Sequence, residues 1–286
     1  MTRFSTALVA TMLLVSCQQD AVPEQTTTLV PTTTLTSAAT TTTTAIPEVD
    51  SAIYLFFEGY PVAPGPYLVA VSRAGVDDLG EALTALLEGV TEEEGLMGLS
   101  TAVPEDTKLL GVEVSGGVAL VDLSREFESG GGSLSMMGRV AQMVYTATRF
   151  EGVDSVRFLL EGTPLDVLGG EGLIIDEPQI RLAWSDLTPP ILVETPPWGS
   201  EVGNQIKIVG SAQIDSGMVS YVIVDADGLI IGEGETATTA EGHFDSTVTL
   251  DEIPHPGPGS IIVWEWAPDG SQQHVLEYPL TLADQP

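Results

Sequence analysis

The chain has 286 residues with 41 acidic against 9 basic side chains, a formal charge of −32 at neutral pH, and one cysteine, Cys17. Its length supplies two modest domains with real cores. The acid excess repels nucleic acid and anionic lipid headgroups, and a single cysteine excludes an internal disulfide, so each core must hold by packing alone.

Residues 1–16 read as a targeting segment. Arg3 gives a positive start, Ala7 to Val15 an apolar run too short to span a bilayer, and Leu14-Val15-Ser16-Cys17 small residues before a cysteine. This resembles a bacterial lipoprotein signal peptide with its lipobox. The resemblance implies cleavage ahead of Cys17, lipidation of Cys17, and an extracytoplasmic protein held to the cell membrane by that lipid. Residues 17–50 follow as a Thr/Pro-rich stalk with threonine runs at 26–28, 32–34 and 40–44. Such a composition cannot bury a core and is expected to be disordered, with threonines suited to O-glycosylation. Fully extended, it would reach about 110 Å.

Residues 51–187 carry 22 acids and 7 bases. Strands are expected at Ile53–Phe57 and Tyr67–Arg73, then a helix capped by Asp77 or Asp78 with Leu79, Ala82, Leu83, Leu86 and Leu87 on one face. Glu92–Glu94 reads as an acidic loop. Lys108–Val114 and Val118–Leu123, joined by Ser115-Gly116-Gly117, read as a hairpin, its second strand apolar on both faces and so internal to a sheet. A Gly-rich turn leads into a long helix that Ser133 or Ser135 can cap. Leu134, Met137, Ala141, Val144, Tyr145 and Thr148 form one apolar line, and Met136, Val140, Met143 and Ala147 a second. Only Arg139, Gln142, Thr146 and Arg149 are left as a polar stripe. Ser155–Leu160 and Pro164–Leu168 complete an α+β pattern, a mixed sheet with two helices packed on it. An apolar helix this wide needs a partner besides its sheet, so Met136, Val140 and Met143 are expected to contact another domain or subunit.

EALTALLEG (81–89), STAVPEDTKLL (100–110), the stretch from Val118 through Phe150, and VDSVRFLLEGTPLDVLGGEGL (153–173) together resemble the GerMN domain of bacterial sporulation and germination proteins over residues 51–182. The resemblance implies a small α+β module related to ring-building domains of envelope assemblies, without catalytic activity. Arg149 departs from the family, where Gln is commoner, and is expected to affect surface chemistry alone.

Leu187–Trp198 reads as a Pro-rich boundary. Residues 188–286, with 15 acids and 1 base, show alternating runs at Gln205–Gln213, Met218–Val224, Leu229–Glu233, His243–Leu250, Ser260–Trp266 and His274–Leu282, with tight turns at Asp227-Gly228 and Asp269-Gly270. Short strands without a helix signal predict an all-β sandwich. Gly210–Gly234, GHFDSTVTL and the run from Trp264 to Leu282 resemble the immunoglobulin-like domain found beside GerMN in germination-related proteins. Ile208, Val222, Val248, Ile262 and Trp264 are the expected core.

No catalytic constellation emerges. His243, His255 and His274 all lie in the sandwich without convergent partners, and no serine sits in a nucleophile elbow. Cys17 has no zinc-ligand spacing around it, so no metal and no cofactor are expected. Gly130–Ser133 lacks the lysine of a phosphate loop, and Asp225-Ala226-Asp227-Gly228 has Thr236 where a calcium loop needs an acid; both read as structural turns. Asp122, Arg125, Glu126 and Glu128 are expected to close the strand-to-helix turn. Trp264 and Trp266 share one strand face: one of them, Trp264, is expected to pack in the sandwich core, the alternative being that both line an exposed platform for wall glycan, and Trp266 is expected on an interaction surface. The sequence thus points to a non-enzymatic envelope protein that binds an envelope protein partner or self-assembles, with peptidoglycan as the alternative ligand.

Overall fold

The computed structural model describes residues 52–59, 65–170 and 172–283; the expectations for residues 1–50, Cys17 included, lie outside them. The first domain opens with β1 (Ala52–Phe57), paired antiparallel along its length with β2 (Tyr67–Ser72) and, at Phe56 and Phe57, with β3 (Leu99–Ser100). Between β2 and β3 lie α1 (Leu79–Leu87) and α2 (Glu92–Leu96). Asp78 caps α1 by accepting the Glu81 N–H at 2.9 Å, and Ala82, Leu83 and Leu86 face the core. The run expected as an acidic loop is the helix α2. Thr91 and Glu94 form a reciprocal capping box, and Glu94 is buried against Arg73.

A second sheet runs β4 (Leu109–Ser115), β5 (Val118–Leu123), β6 (Ser155–Leu160) and β7 (Thr163–Pro164). β4–β5 and β6–β7 are antiparallel whereas β5 and β6 are parallel, which requires a crossover; α3 (Ser133–Ala147) supplies it. The expected mixed sheet is therefore present, and the strands before it form a sheet of their own. Ala119, Val121 and Leu123 of β5 are fully buried but Leu120 is 37% exposed, so one face of this internal strand is covered and not both. β8 (Val167–Leu168) and β9 (Leu173–Ile174) form a small hairpin, and a 3-10 helix over Arg181–Leu187 leads out of the domain.

The second domain contains β10 (Ile191–Thr195), β11 (Glu201–Val202), β12 (Gln205–Ala212), β13 (Met218–Val224), β14 (Ile230–Ala237), β15 (His243–Thr249), β16 (Gly257–Trp266) and β17 (Gln272–Leu282). They form sheets ordered β10-β12-β15 and β11-β17-β16-β13-β14. β10 was hidden in the Pro-rich boundary, yet Ile191, Leu192 and Val193 are fully buried. The strand phases correct part of the expected core. Tyr221 reaches Ser246 of the opposite sheet at 2.7 Å, so Val219, Tyr221 and Ile223 face inward and Val222 faces out. Ile262 opposes Val222, and Trp264 opposes Ser220, so both lie on the outer face too. Ile208 is core as expected, and Val248 packs against it partly buried. The buried residues of the two domains form one contiguous apolar cluster.

Candidate interaction surface

The helix α3 is buried from Met136 nearly to its end, but its cover comes from its own chain. It packs on β1, α1, β6 and the 181–187 turn. Met136, Val140 and Met143 are core residues, Val140 and Met143 at zero exposure, so the expected contact surface on this face is corrected: none of the three is available to a partner. Tight packing shows in Gly138, where a Cβ would come within 2.9 Å of the Phe56 ring and 3.0 Å of Ala102.

The polar stripe is buried as well, because it finishes backbone that no strand pairs. The Thr146 hydroxyl accepts the Tyr54 N–H at 3.1 Å, and the Gln142 amide donates to the Tyr54 carbonyl at 2.9 Å. The Gln142 oxygen also accepts from the Ala102 N–H at 2.8 Å. α3 thus takes the place of a neighbouring strand at the middle of β1. Arg139, 1% exposed, donates to the carbonyls of Phe127 (2.6 Å), Ser129 (3.1 Å) and Gly130 (2.9 Å). It fixes the Gly-rich turn, in which Gly130 and Gly131 have φ of 60° and 80°. The helix N-cap is Gly132, without a side-chain cap, in place of the expected serines. Asp122 accepts the Gly162 N–H at 2.9 Å, and Arg125 pairs with Glu161 rather than with its local acids.

The fourth stripe residue, Arg149, opens the junction between the domains. It donates to the Glu194 carbonyl on β10 at 3.0 Å, so it joins the domains instead of tuning the surface. The Glu194 carboxylate accepts from the Tyr54 hydroxyl and from Arg181. Arg181 further donates to Thr148 Oγ1 (2.6 Å) and the Tyr145 carbonyl (3.1 Å), and its guanidinium lies over the Tyr145 ring at 4.8 Å. Burial alone would raise the Glu194 carboxyl, but the Arg181 charge and the two hydrogen bonds outweigh it and hold the group below its ordinary range. Burial pushes the Tyr145 phenol up to about 12 and raises Tyr54 too. On the other side of the junction, Trp198 exchanges backbone bonds with Ala70 (2.8 Å) and Ser72 (3.0 Å), and its ring packs on Phe57 at 4.7 Å between centroids.

Trp266 is 44% exposed and meets Trp264 edge to face, 5.9 Å apart at 89°. Both rings stand on the outer face of the five-stranded sheet, so Trp264 is buried by its surface neighbours and not inside the sandwich. Asp225 closes the β13–β14 turn by accepting the N–H groups of Asp227 (3.0 Å) and Leu229 (2.9 Å) and pairing with His255 at 2.7 Å. That hydrogen bond holds the Asp225 carboxyl low and raises the His255 imidazole. Among the described residues, no group of three or more His, Cys, Asp or Glu is placed to hold a metal ion, and no helix is long and apolar enough to cross a membrane.

Residues 53–166 match the family of sporulation and spore germination domains called Germane, and residues 190–271 match the immunoglobulin-like domain of bacterial spore germination, Gmad2. Among solved structures, the first GerMN domain of the sporulation protein GerM from Bacillus subtilis is similar at 21% identity over 46% of this chain and 96% of that one, with a TM-score of 0.37. The tandem GerMN domains of the same protein are similar at 18% identity over 70% of this chain and 60% of that one, with a TM-score of 0.39. No curated protein matches the chain. The chain therefore joins a GerMN-like sporulation and spore germination domain to an immunoglobulin-like domain of bacterial spore germination.

Proposed function

We propose that this is a non-enzymatic extracytoplasmic protein, anchored to the cell membrane by lipid on Cys17, that serves as a protein-protein interaction or assembly module in sporulation or germination. The observation that carries the reading is the junction. Two domains of germination families are welded through the Tyr54–Arg181–Glu194 network and a shared apolar cluster. A buried ion pair gains little stability over apolar packing, and we read this one as setting the orientation of the two domains. A fixed orientation lets surfaces from both domains be presented to one partner as a unit. The acidic surface of both halves disfavours nucleic acid.

The test is the solution mass of the full chain by light scattering across concentration, alone and with detergent-solubilised envelope proteins, beside an assay for turnover of peptidoglycan. A discrete complex of fixed stoichiometry without turnover supports the reading. Turnover abolished by a point substitution overturns it. The second reading, binding of peptidoglycan glycan, draws on the exposed Trp266 ring; it predicts co-sedimentation with purified sacculi that Trp266→Ala abolishes.

A further inference from the structure

The outer face of the five-stranded sheet holds a cleft of about 430 Å³ that the domain junction does not touch. Strand pairing builds it. Directly opposed residues of an antiparallel pair share a face, and Trp264 opposes Ser220, which opposes Glu235, while Val222 opposes Glu233. Trp264 and Trp266 therefore form one wall, Ser220 and Val222 the floor, and Glu233 and Glu235 of the edge strand β14 the other wall.

The chemistry of these walls selects a ligand. A sugar ring stacks best on an open, flat aromatic face, but these indoles stand perpendicular and make a corner. A corner offers aromatic density from two directions, which suits a cation. Glu235 spends one oxygen on the Ser220 hydroxyl at 3.0 Å, and among the described residues the Glu233 carboxylate has no hydrogen-bond partner, so carboxylate capacity remains at both. Trp264 lines the cleft nine-tenths buried, so the ring that a ligand meets first is that of Trp266. A basic peptide brings what these walls lack, a cationic head for the aromatic corner and the carboxylates. The 15 acids and 1 base of this domain steer such a partner inward.

From this we infer that the cleft is the docking site for a lysine- or arginine-bearing segment of a partner protein, its cationic head held between the Trp264–Trp266 corner and the Glu233 and Glu235 carboxylates. The inference rests on the interaction reading above and names the kind of partner surface it needs.

The experiment titrates the full chain with penta-lysine, reading indole fluorescence and heat of binding, with penta-(Nε-acetyl-lysine) as the uncharged control and an N-acetylglucosamine oligosaccharide as the glycan probe. Penta-lysine should bind and the acetylated peptide should not. Trp266→Ala and the exposed double change Glu233→Gln with Glu235→Gln should each weaken binding about tenfold, and the remote Glu105→Gln less than about twofold. Equal weakening by Glu105→Gln and the cleft variants would reduce the effect to diffuse charge and overturn the site. So would unchanged affinity in the double glutamine variant, which decides the matter if Trp266→Ala fails to fold, or saturable oligosaccharide binding in the cleft instead. A chain whose partner complex survives both cleft variants loses this site and keeps the interaction reading. A chain that binds penta-lysine through the cleft yet forms no protein complex keeps the site and loses that reading.

Discussion

Arg181 and Glu194 meet across the boundary between the two domains, and the Glu194 oxygen that takes the guanidinium also accepts the Tyr54 hydroxyl. Their side chains are 29% and 15% exposed. Removing one partner of such a pair strands the other. Arg181→Ala should therefore cost on the order of 3 kcal/mol, the lower end of the range for buried pairs because of the residual exposure. Chemical denaturation checks it, and Glu194→Gln, which retains hydrogen-bonding capacity, should cost less.

Met143 has no exposed surface. Met143→Glu should destabilise the chain by about 4 kcal/mol or more, because an unpaired carboxylate would be buried, and circular dichroism should show a lowered midpoint or unfolding. Leu120→Glu, on the open face of β5, should stay within about 0.5 kcal/mol of the parent.

Gly138 separates helix propensity from packing. An alanine inside a helix ordinarily gains about 1 kcal/mol over glycine, but here its Cβ would crowd the Phe56 ring at 2.9 Å. Overpacking costs about 1–3 kcal/mol, so Gly138→Ala should be destabilising despite the propensity gain. A thermal melt reads the sign directly.

His255 and Asp225 predict a pH window. The imidazole is raised by its bond to Asp225, so its contribution is complete below the ordinary histidine pKa and is lost as pH rises through the folded value. The Asp225 carboxyl is lowered, so its contribution is present above its ordinary value and is lost as pH falls through the folded one. The pair is intact between the two folded values. An NMR titration of the His255 ring should show the raised pKa, and Asp225→Asn should return it toward the ordinary histidine value.

The strands were legible where alternation is one-sided, as in Gln205–Ala212, and the α1 cap was legible as Asp78 before an apolar period. The fate of the α3 stripe was not. Gln142 and Thr146 recur at the spacing of a solvated face, and what buries them is a bare stretch of β1 about ninety residues away, a long-range fact that no local pattern carries. β13 and β16 are apolar in both phases, so Val222, Ile262 and Trp264 could not be assigned a side from their own strands. Thr91 and Glu94 did carry a signal for α2, since a Thr-x-x-Glu spacing before a helix is a capping box. Arg181 and Glu194 carried none.

The Tyr54–Arg181–Glu194 network and the shared core join the two domains, and ¹⁵N relaxation of the chain from Gln18 onward tests most directly whether they tumble as one block. Amides of residues 52–59, 65–170, 172–187 and 191–283 should report a single common tumbling time, which Arg181→Ala shortens for at least one domain. Two distinct tumbling times in the parent chain would contradict the account, because the domains would then move independently and could not present a joint surface.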